Sequence, residues 1–290
     1  MAGAEYSLIR YEHIEPHIVR VEMNRPEKRN AQDAVMTYEI DAALRQAAAD
    51  DEVKVVVLSG AGAHFNSGHD QRQDARDHTE LYAHNVGLWF GYTASGVEGQ
   101  MARNREMYFD TTWRWRNFPK VLIAQVQGKT IGGGMMLLSA CDLIVATESA
   151  LFADPTVNVG IPGVEYFGYP WDMGPRRAKE FILTGDFFTA SDLHASGFIN
   201  RVVPDEQLAE ATLQLARRIA AKPSLGLKLA KQSINQMQET QGIHAHLSAA
   251  FALTTIGQYD LVQQGGLERK QATDKGLFTS AMQAPDKAGS

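Results

Sequence analysis

Three consecutive glycines, Gly132, Gly133 and Gly134, stand between an apolar run of strand character, Val121 to Val126, and a small-and-apolar helical run, Met135 to Ala140. A helix that apolar is buried. Its glycine-lined N-terminus aims unpaired backbone N–H groups and the positive end of the helix dipole at one point. That point suits an anion, or an oxygen that becomes anionic during a reaction. A strand, Leu143 to Ala146, and an extended piece, Ala150 to Asp154, follow, so the unit reads strand, glycine turn, helix, strand. Alone, such glycines serve equally well as a tight turn or a close packing contact. The spacing is not a dinucleotide fingerprint, and no Gly-Lys-Ser/Thr follows to make a phosphate loop. A second glycine turn, HFNSGHD from His64 to Asp70, directly follows the apolar run Val53 to Ser59. Two strand ends, each followed by a glycine turn, can bring two N–H donors to one oxygen.

The stretches VVVLSGAGAHFNSGHD, VLIAQVQGKTIGGGMMLLSACDLIVATESALFADP, GIPG and FILTGDFFTASDLHASGFINRVVP resemble, in order, the motifs of the enoyl-CoA hydratase/isomerase (crotonase) superfamily, across residues 6–235. The resemblance implies an α/β fold, a spiral of ββα units over residues 1–204. A C-terminal helical region, 205–275, would mediate trimer contacts and cover a CoA site, the neighbouring subunit's in the family. Residues 276–290 read as a disordered tail. The implied substrate is an acyl-CoA thioester whose enolate is held by two backbone N–H groups, here those of His69 and Gly133. Coenzyme A is then part of the substrate, and no separate cofactor is implied. The polar loop RPEKRNAQD, Arg25 to Asp33, is otherwise a solvated loop. By resemblance it faces the nucleotide end of CoA, with Lys28 and Arg29 as cations beside phosphate and Ala31 in contact. The acyl end would be lined by Ser67, Gly68, Asp70, Gly132, Met136, Thr156 and Tyr166.

The family's hydratases use two glutamates, one to activate water and one to protonate the α-carbon. On the matching positions this chain carries Met136 and Thr156. Methionine titrates nothing, and a threonine hydroxyl can at most orient a water. Asp154, two residues before Thr156, and Glu165, in a turn where the family is glycine-rich, are the candidates for proton transfer. Each has a structural alternative: a turn residue before Pro155 for Asp154, a surface or interface carboxylate for Glu165. The His69 side chain replaces a usually small residue and could point into the pocket. Asp70 suits fixing its turn, and Asp172 suits capping a helix. The expected activity is that of an acyl-CoA lyase or isomerase of the hydratase/isomerase type. Double-bond isomerisation, thioester or C–C hydrolysis, and a catalytically lapsed CoA-ester binder are the alternatives.

These residues need elements to hold them. Ser7 to His13 and His17 to Asn24 alternate as a hairpin, and Ala34 to Ala49 has helical periodicity. Residues 71–118 depart most from the family pattern. They form a longer, aromatic-rich excursion with Tyr82, Trp89, Phe90, Tyr92, Tyr108, Phe109, Trp113, Trp115 and Phe118. It reads either as an irregular loop pinned by its aromatics or as a roof over the acyl pocket. Trp171 to Thr184 reads as one helix, Thr189 as the cap of a short one, and Phe198 to Val203 as a strand. Three helices close the chain: Asp205 to Ala221, Ser224 to Glu239 and His244 to Val262.

Composition excludes several classes. Among 290 residues, 44% are apolar and 21% charged, as in a soluble globular protein, and a net charge of −6 leaves no basic footprint for nucleic acid. No apolar run approaches the length of a membrane span. One cysteine, Cys141, cannot form an internal disulfide, which fits a cytoplasmic location, and no signal-peptide pattern opens the chain. The nine histidines lack companion ligands at metal spacing, and no G-x-S-x-G elbow marks a serine nucleophile. The expected assembly is a homotrimer or a dimer of trimers.

Overall fold

The computed structural model describes residues 6–70 and 75–263. β1 (Ile9–Glu15) and β2 (Ile18–Met23) form the expected antiparallel hairpin. α1 (Ala34–Ala49) spans the periodic stretch and is started by Asp33, whose carboxylate accepts the Met36 N–H at 2.8 Å. β3 (Val55–Gly60) follows. The second half of the aromatic excursion is not irregular. α2 (Gly96–Asn104) runs through a π-helical turn, Arg105–Asp110, into α3 (Thr111–Arg116). The extra residue of the π-turn breaks the 3.6-residue period, which hid this helical rod from a periodicity reading.

β4 (Val121–Val126), β5 (Lys129–Ile131), α4 (Gly133–Ala140), β6 (Leu143–Thr147) and β7 (Leu151–Ala153) make up the expected glycine-turn unit. The helix expected over Trp171 to Thr184 is two: α5 (Tyr169–Asp172) and α6 (Pro175–Thr184). Gly174, at φ 78°, separates them, and Pro175 starts the second at a position that needs no N–H. β8 (Phe188–Thr189) leads into α7 (Ala190–Ala195), where Thr189 and Asp192 form a reciprocal capping box. β9 is only Arg201–Val203. The N–H groups of Phe198 and Ile199 are taken by the Leu193 carbonyl, closing α7, so those residues do not enter the sheet. α8 (Leu208–Ala220), α9 (Ser224–Thr240) and α10 (Ile243–Gln263) complete the chain.

The large sheet has the order β1-β2-β3-β4-β6-β9, parallel except for the first pair, and a small sheet has the order β5-β7-β8. Isolated bridges join Gln32 to His69 and Asn66 to Thr130 of β5, extending the small layer. Each turn of the chain therefore lays a strand in the large sheet, a short piece in the small layer, and a helix, with β4–β5–α4 the complete case. This is the ββα spiral. Alternation along β3 serves both faces. Val56 and Leu58 face the main core with Met36, Ile40 and Leu138, while Val55 and Val57 face Leu208, Leu215 and Ala216 of α8. Fully burying each such side chain contributes about 1.5–3 kcal/mol.

α8, at the start of the expected helical region, thus packs on the large sheet. α9 buries none of its residues, whereas α10 returns Ile243, Leu247 and Phe251 to the main core. The end of the expected helical region and the expected tail lie outside the described residues.

Candidate active site

Asn66 holds the two glycine turns together. Fully buried, it accepts the Gly68 N–H on Oδ1 at 2.8 Å and donates from Nδ2 to the Asn30 carbonyl at 2.6 Å. Its carbonyl accepts the Ile131 N–H at 3.0 Å. Gly68, at φ 91°, passes so close that a Cβ there would lie 2.9 Å from the Ile131 carbonyl oxygen and 3.3 Å from the Gly133 nitrogen. Only glycine fits this crossing. Gly132, at φ 51° and ψ −112°, turns the chain into α4 while its N–H donates to Ala153 at 2.9 Å. The bridge to Gln32 uses the Gly68 carbonyl and the Asp70 N–H, so the His69 N–H points away from Gln32. Among the described residues, neither the His69 nor the Gly133 N–H donates to an acceptor.

The His69 side chain turns inward. Its ring stacks on Tyr108, with centroids 4.0 Å apart and planes at 21°, and its other face lies against Gly133. A Cβ built on Gly133 would sit 2.5 Å from His69 Nε2. Nε2 is buried without a hydrogen-bond partner, and Nδ1 lies 3.9 Å from Glu165 Oε2. Burial pushes the imidazole below its usual pKa, against smaller upward pulls from Glu165 and Asp154. Glu165 is buried, and its Oε1 accepts from Gln258 of α10 at 2.7 Å. Glu165, the candidate for proton transfer whose alternative was a surface or interface carboxylate, is therefore buried beside His69.

Asp154 is placed differently. Its carboxylate is fully buried, accepting from the Thr156 N–H at 3.2 Å, the Thr156 hydroxyl at 2.7 Å and the Tyr169 hydroxyl at 2.9 Å. Burial raises its pKa, and these donors pull it back down. It starts the 3₁₀ turn Pro155–Val159 and fastens that turn to α5. Thr156 spends its hydroxyl on this bond. Met136 and Tyr166 are buried in the main core, with Tyr166 tilted against Phe109 and its hydroxyl without a hydrogen-bond partner among the described residues. Asp172 does not cap a helix. Its side chain points back at Ser139 of α4 and Gly168, and burial raises its carboxyl to about 7.

The Arg25–Asp33 loop is fastened from beneath. Arg25, buried, pairs with Asp33 at 3.1 Å and Asp70 at 2.9 Å and donates to the Ala31 carbonyl at 3.1 Å. Asp70 therefore fixes its turn. Asn30 donates to the Ala61 and His64 carbonyls, both at 2.9 Å. Ser67 binds back to this loop through the Arg29 and Lys28 carbonyls. Lys28 and Arg29 are left exposed at its rim, with Arg29 in the left-handed region at φ 53°.

Several site residues escaped the sequence reading. Tyr108 stood only as one of many aromatics, and the π-turn that aims it leaves no sequence period. Gln258 carried one faint signal, as a polar residue on an apolar helix. Asn66 and Arg25 gave none, since their work is to join loops distant in sequence. Among the described residues, no cluster of three or more His, Cys, Asp or Glu could hold a metal ion, and no helix is long and apolar enough to cross a membrane.

A family model described as enoyl-CoA hydratase/isomerase matches residues 13–93 and 85–271. A putative enoyl-CoA hydratase, EchA13, of Mycobacterium tuberculosis is 42% identical over 259 residues, covering 86% of this chain and 80% of that protein. The crystal structure of a probable enoyl-CoA hydratase from Mycobacterium thermoresistibile superimposes with a TM-score of 0.79 at 38% identity, covering 89% of this chain and 99% of that one. An enoyl-CoA hydratase/isomerase structure from Xanthobacter autotrophicus gives 0.76 at 33% identity, covering 92% and 97%. The chain belongs to the enoyl-CoA hydratase/isomerase family and has its crotonase fold.

Proposed function

We propose that the protein binds an acyl-CoA thioester with its carbonyl oxygen between the His69 and Gly133 N–H groups and stabilises the thioester enolate there. The reading is carried by one observation: Asn66 locks two glycine turns together and leaves these two N–H groups without acceptors. A donor so placed contributes roughly 3 kcal/mol to a transition state that gathers charge on oxygen. Gly68, Gly132 and Ser67 shape this pocket, Met136, Thr156 and Tyr166 line it, and Lys28, Arg29 and Ala31 face the nucleotide end of CoA. Glu165 is the carboxylate nearest the reacting atoms. Asp154, enclosed by three donors, acts by holding the pocket wall. With Met136 and Thr156 at the two positions where the family's hydratases carry glutamate, the reaction is one that needs enolate formation rather than two-carboxylate hydration.

The test is incubation with a panel of straight-chain, branched and aryl acyl- and enoyl-CoAs, following products by mass. Conversion of at least one member is expected, reduced about 100-fold or more in Gly133→Pro, which removes one donor and also presses a Cβ on the His69 ring. No conversion anywhere in the panel, or unchanged conversion by folded Gly133→Pro, would defeat the reading.

A further inference from the structure

We propose that the His69 side chain is the base that removes the substrate's α-proton, and that Glu165 and Gln258 are positioning residues that set its tautomer. The proposal deepens the acyl-CoA reading above and rests on it. Three observations carry it. Nε2 of His69 is buried and unpartnered, and its ring lies face-on against Gly133, so a thioester oxygen held on the Gly133 N–H would bring the α-carbon next to this ring. Tyr108 holds the ring from the opposite face. Glu165 Oε2 lies 3.9 Å from Nδ1, and closure of a site around its substrate commonly draws such a pair into a hydrogen bond.

The orientation of Gln258 follows from its neighbours. Its Oε1 accepts from Asn104 Nδ2 at 2.8 Å and lies 3.5 Å from Gln100 Nε2. The amide oxygen therefore faces α2, and Nε2 must face Glu165, which it reaches at 2.7 Å. This bond occupies Oε1 and leaves Oε2 as the acceptor for Nδ1–H. The imidazole is then held as the Nδ1–H tautomer, with a bare lone pair on Nε2. Burial keeps the ring neutral, as a base must be before it acts. In the step itself, Nε2 takes the α-proton and becomes imidazolium. The C–H electron pair passes into the enolate, whose oxygen is held by the two N–H groups. The imidazolium charge is balanced by Glu165, and the proton returns to carbon to complete exchange.

The tautomer is read directly by nitrogen NMR of the protein labelled at histidine, with His69 identified by the ring-current shift from Tyr108 and by its loss in His69→Gln. At pH 8 the unaltered protein should show Nδ1 protonated and Nε2 bare. In Glu165→Gln the locked Gln258 takes the new amide's oxygen, turns its NH₂ toward Nδ1, and should reverse the tautomer. Gln258→Leu should mix the two forms, an effect that a purely structural role would not produce. In D₂O, with butyryl-CoA and phenylacetyl-CoA as probes, α-deuteration should fall roughly 10²–10⁴-fold in His69→Ala, which keeps the backbone N–H. A protonated Nε2 in the unaltered protein overturns the proposal whatever the variants do. Exchange that survives in His69→Ala overturns the base role alone. No exchange with either probe by the unaltered protein overturns it together with the acyl-CoA reading.

Discussion

Asp154 and Glu165 were equal candidates in the sequence, and only their surroundings separate them. Three donors enclose Asp154, whereas Glu165 has one oxygen on Gln258 and the other directed at His69. Asp154→Asn keeps the shape but cannot accept from all three donors. We expect a loss of about 1–3 kcal/mol in urea unfolding, with activity per folded molecule reduced less than in Glu165→Gln. The adjacent glycines give a second contrast. Gly133 has helical backbone, so Gly133→Ala strains nothing locally but drives a methyl into the His69 ring, 2.5 Å away. Gly132 has open space where a Cβ would go but sits at φ 51° and ψ −112°. Gly133→Ala should therefore lower turnover by more than its loss of stability explains, since the methyl displaces a ring held by Tyr108. Gly132→Ala should cost stability first, on the order of 1–3 kcal/mol. Comparing kinetics with urea midpoints separates the two. The backbone role proposed for His69 was suggested by a motif. The position of its ring was not, since Tyr108, Glu165 and Gln258 reach it from three distant segments.

Most elements could be read from their periods, and the misreadings share one cause: local geometry that interrupts a period. The π-turn at Arg105–Asp110 hid a helical rod, and the break at Met173–Gly174 turned one expected helix into two. That break leaves Asp172 at the end of α5, buried against Ser139 of α4 rather than capping a helix. Its carboxyl is raised from 3.8 to about 7 by burial, so the folded protein holds this proton more tightly than the unfolded chain. The stability contributed is full below pH 3.8 and is lost as pH rises through about 7. His69 runs the opposite way: its pKa is lowered by burial, so its contribution is present above 6.5 and lost as pH falls below that. Asp172→Asn should accordingly gain stability relative to the unaltered protein as pH rises from 4 to 8, by a few kcal/mol in all. Thermal unfolding of both proteins across that range checks this. A difference in melting temperature that stays flat with pH would contradict a raised carboxyl.

At the scale of the molecule, the last two helices carry apolar surface that the described residues do not cover. α9 exposes Leu225, Leu229, Ile234 and Met237, and α10 exposes Leu253, Ile256 and Tyr259. Isolated exposed apolar residues are ordinary, but two successive helices with such faces suit self-association. We expect a trimer or a dimer of trimers by light scattering, and a stable monomer at micromolar concentration would contradict this. α10 also lies on this chain's own site, with Gln258 on Glu165 and Thr254 donating to the Gly163 carbonyl at 3.3 Å. Resemblance alone suggested cover for a neighbour's site, and sequence spacing could not say whose turn the helix meets. Enolate stabilisation without two-carboxylate hydration is tested most directly with crotonyl-CoA and butyryl-CoA in D₂O, following mass. The expected result is deuterium at the α-carbon of butyryl-CoA and little or no hydration of crotonyl-CoA, since each missing acid or base is worth roughly 10²–10⁴-fold. Rapid crotonyl-CoA hydration by the unaltered protein, undiminished in Glu165→Gln and Asp154→Asn, would show that the proton-transfer groups lie elsewhere.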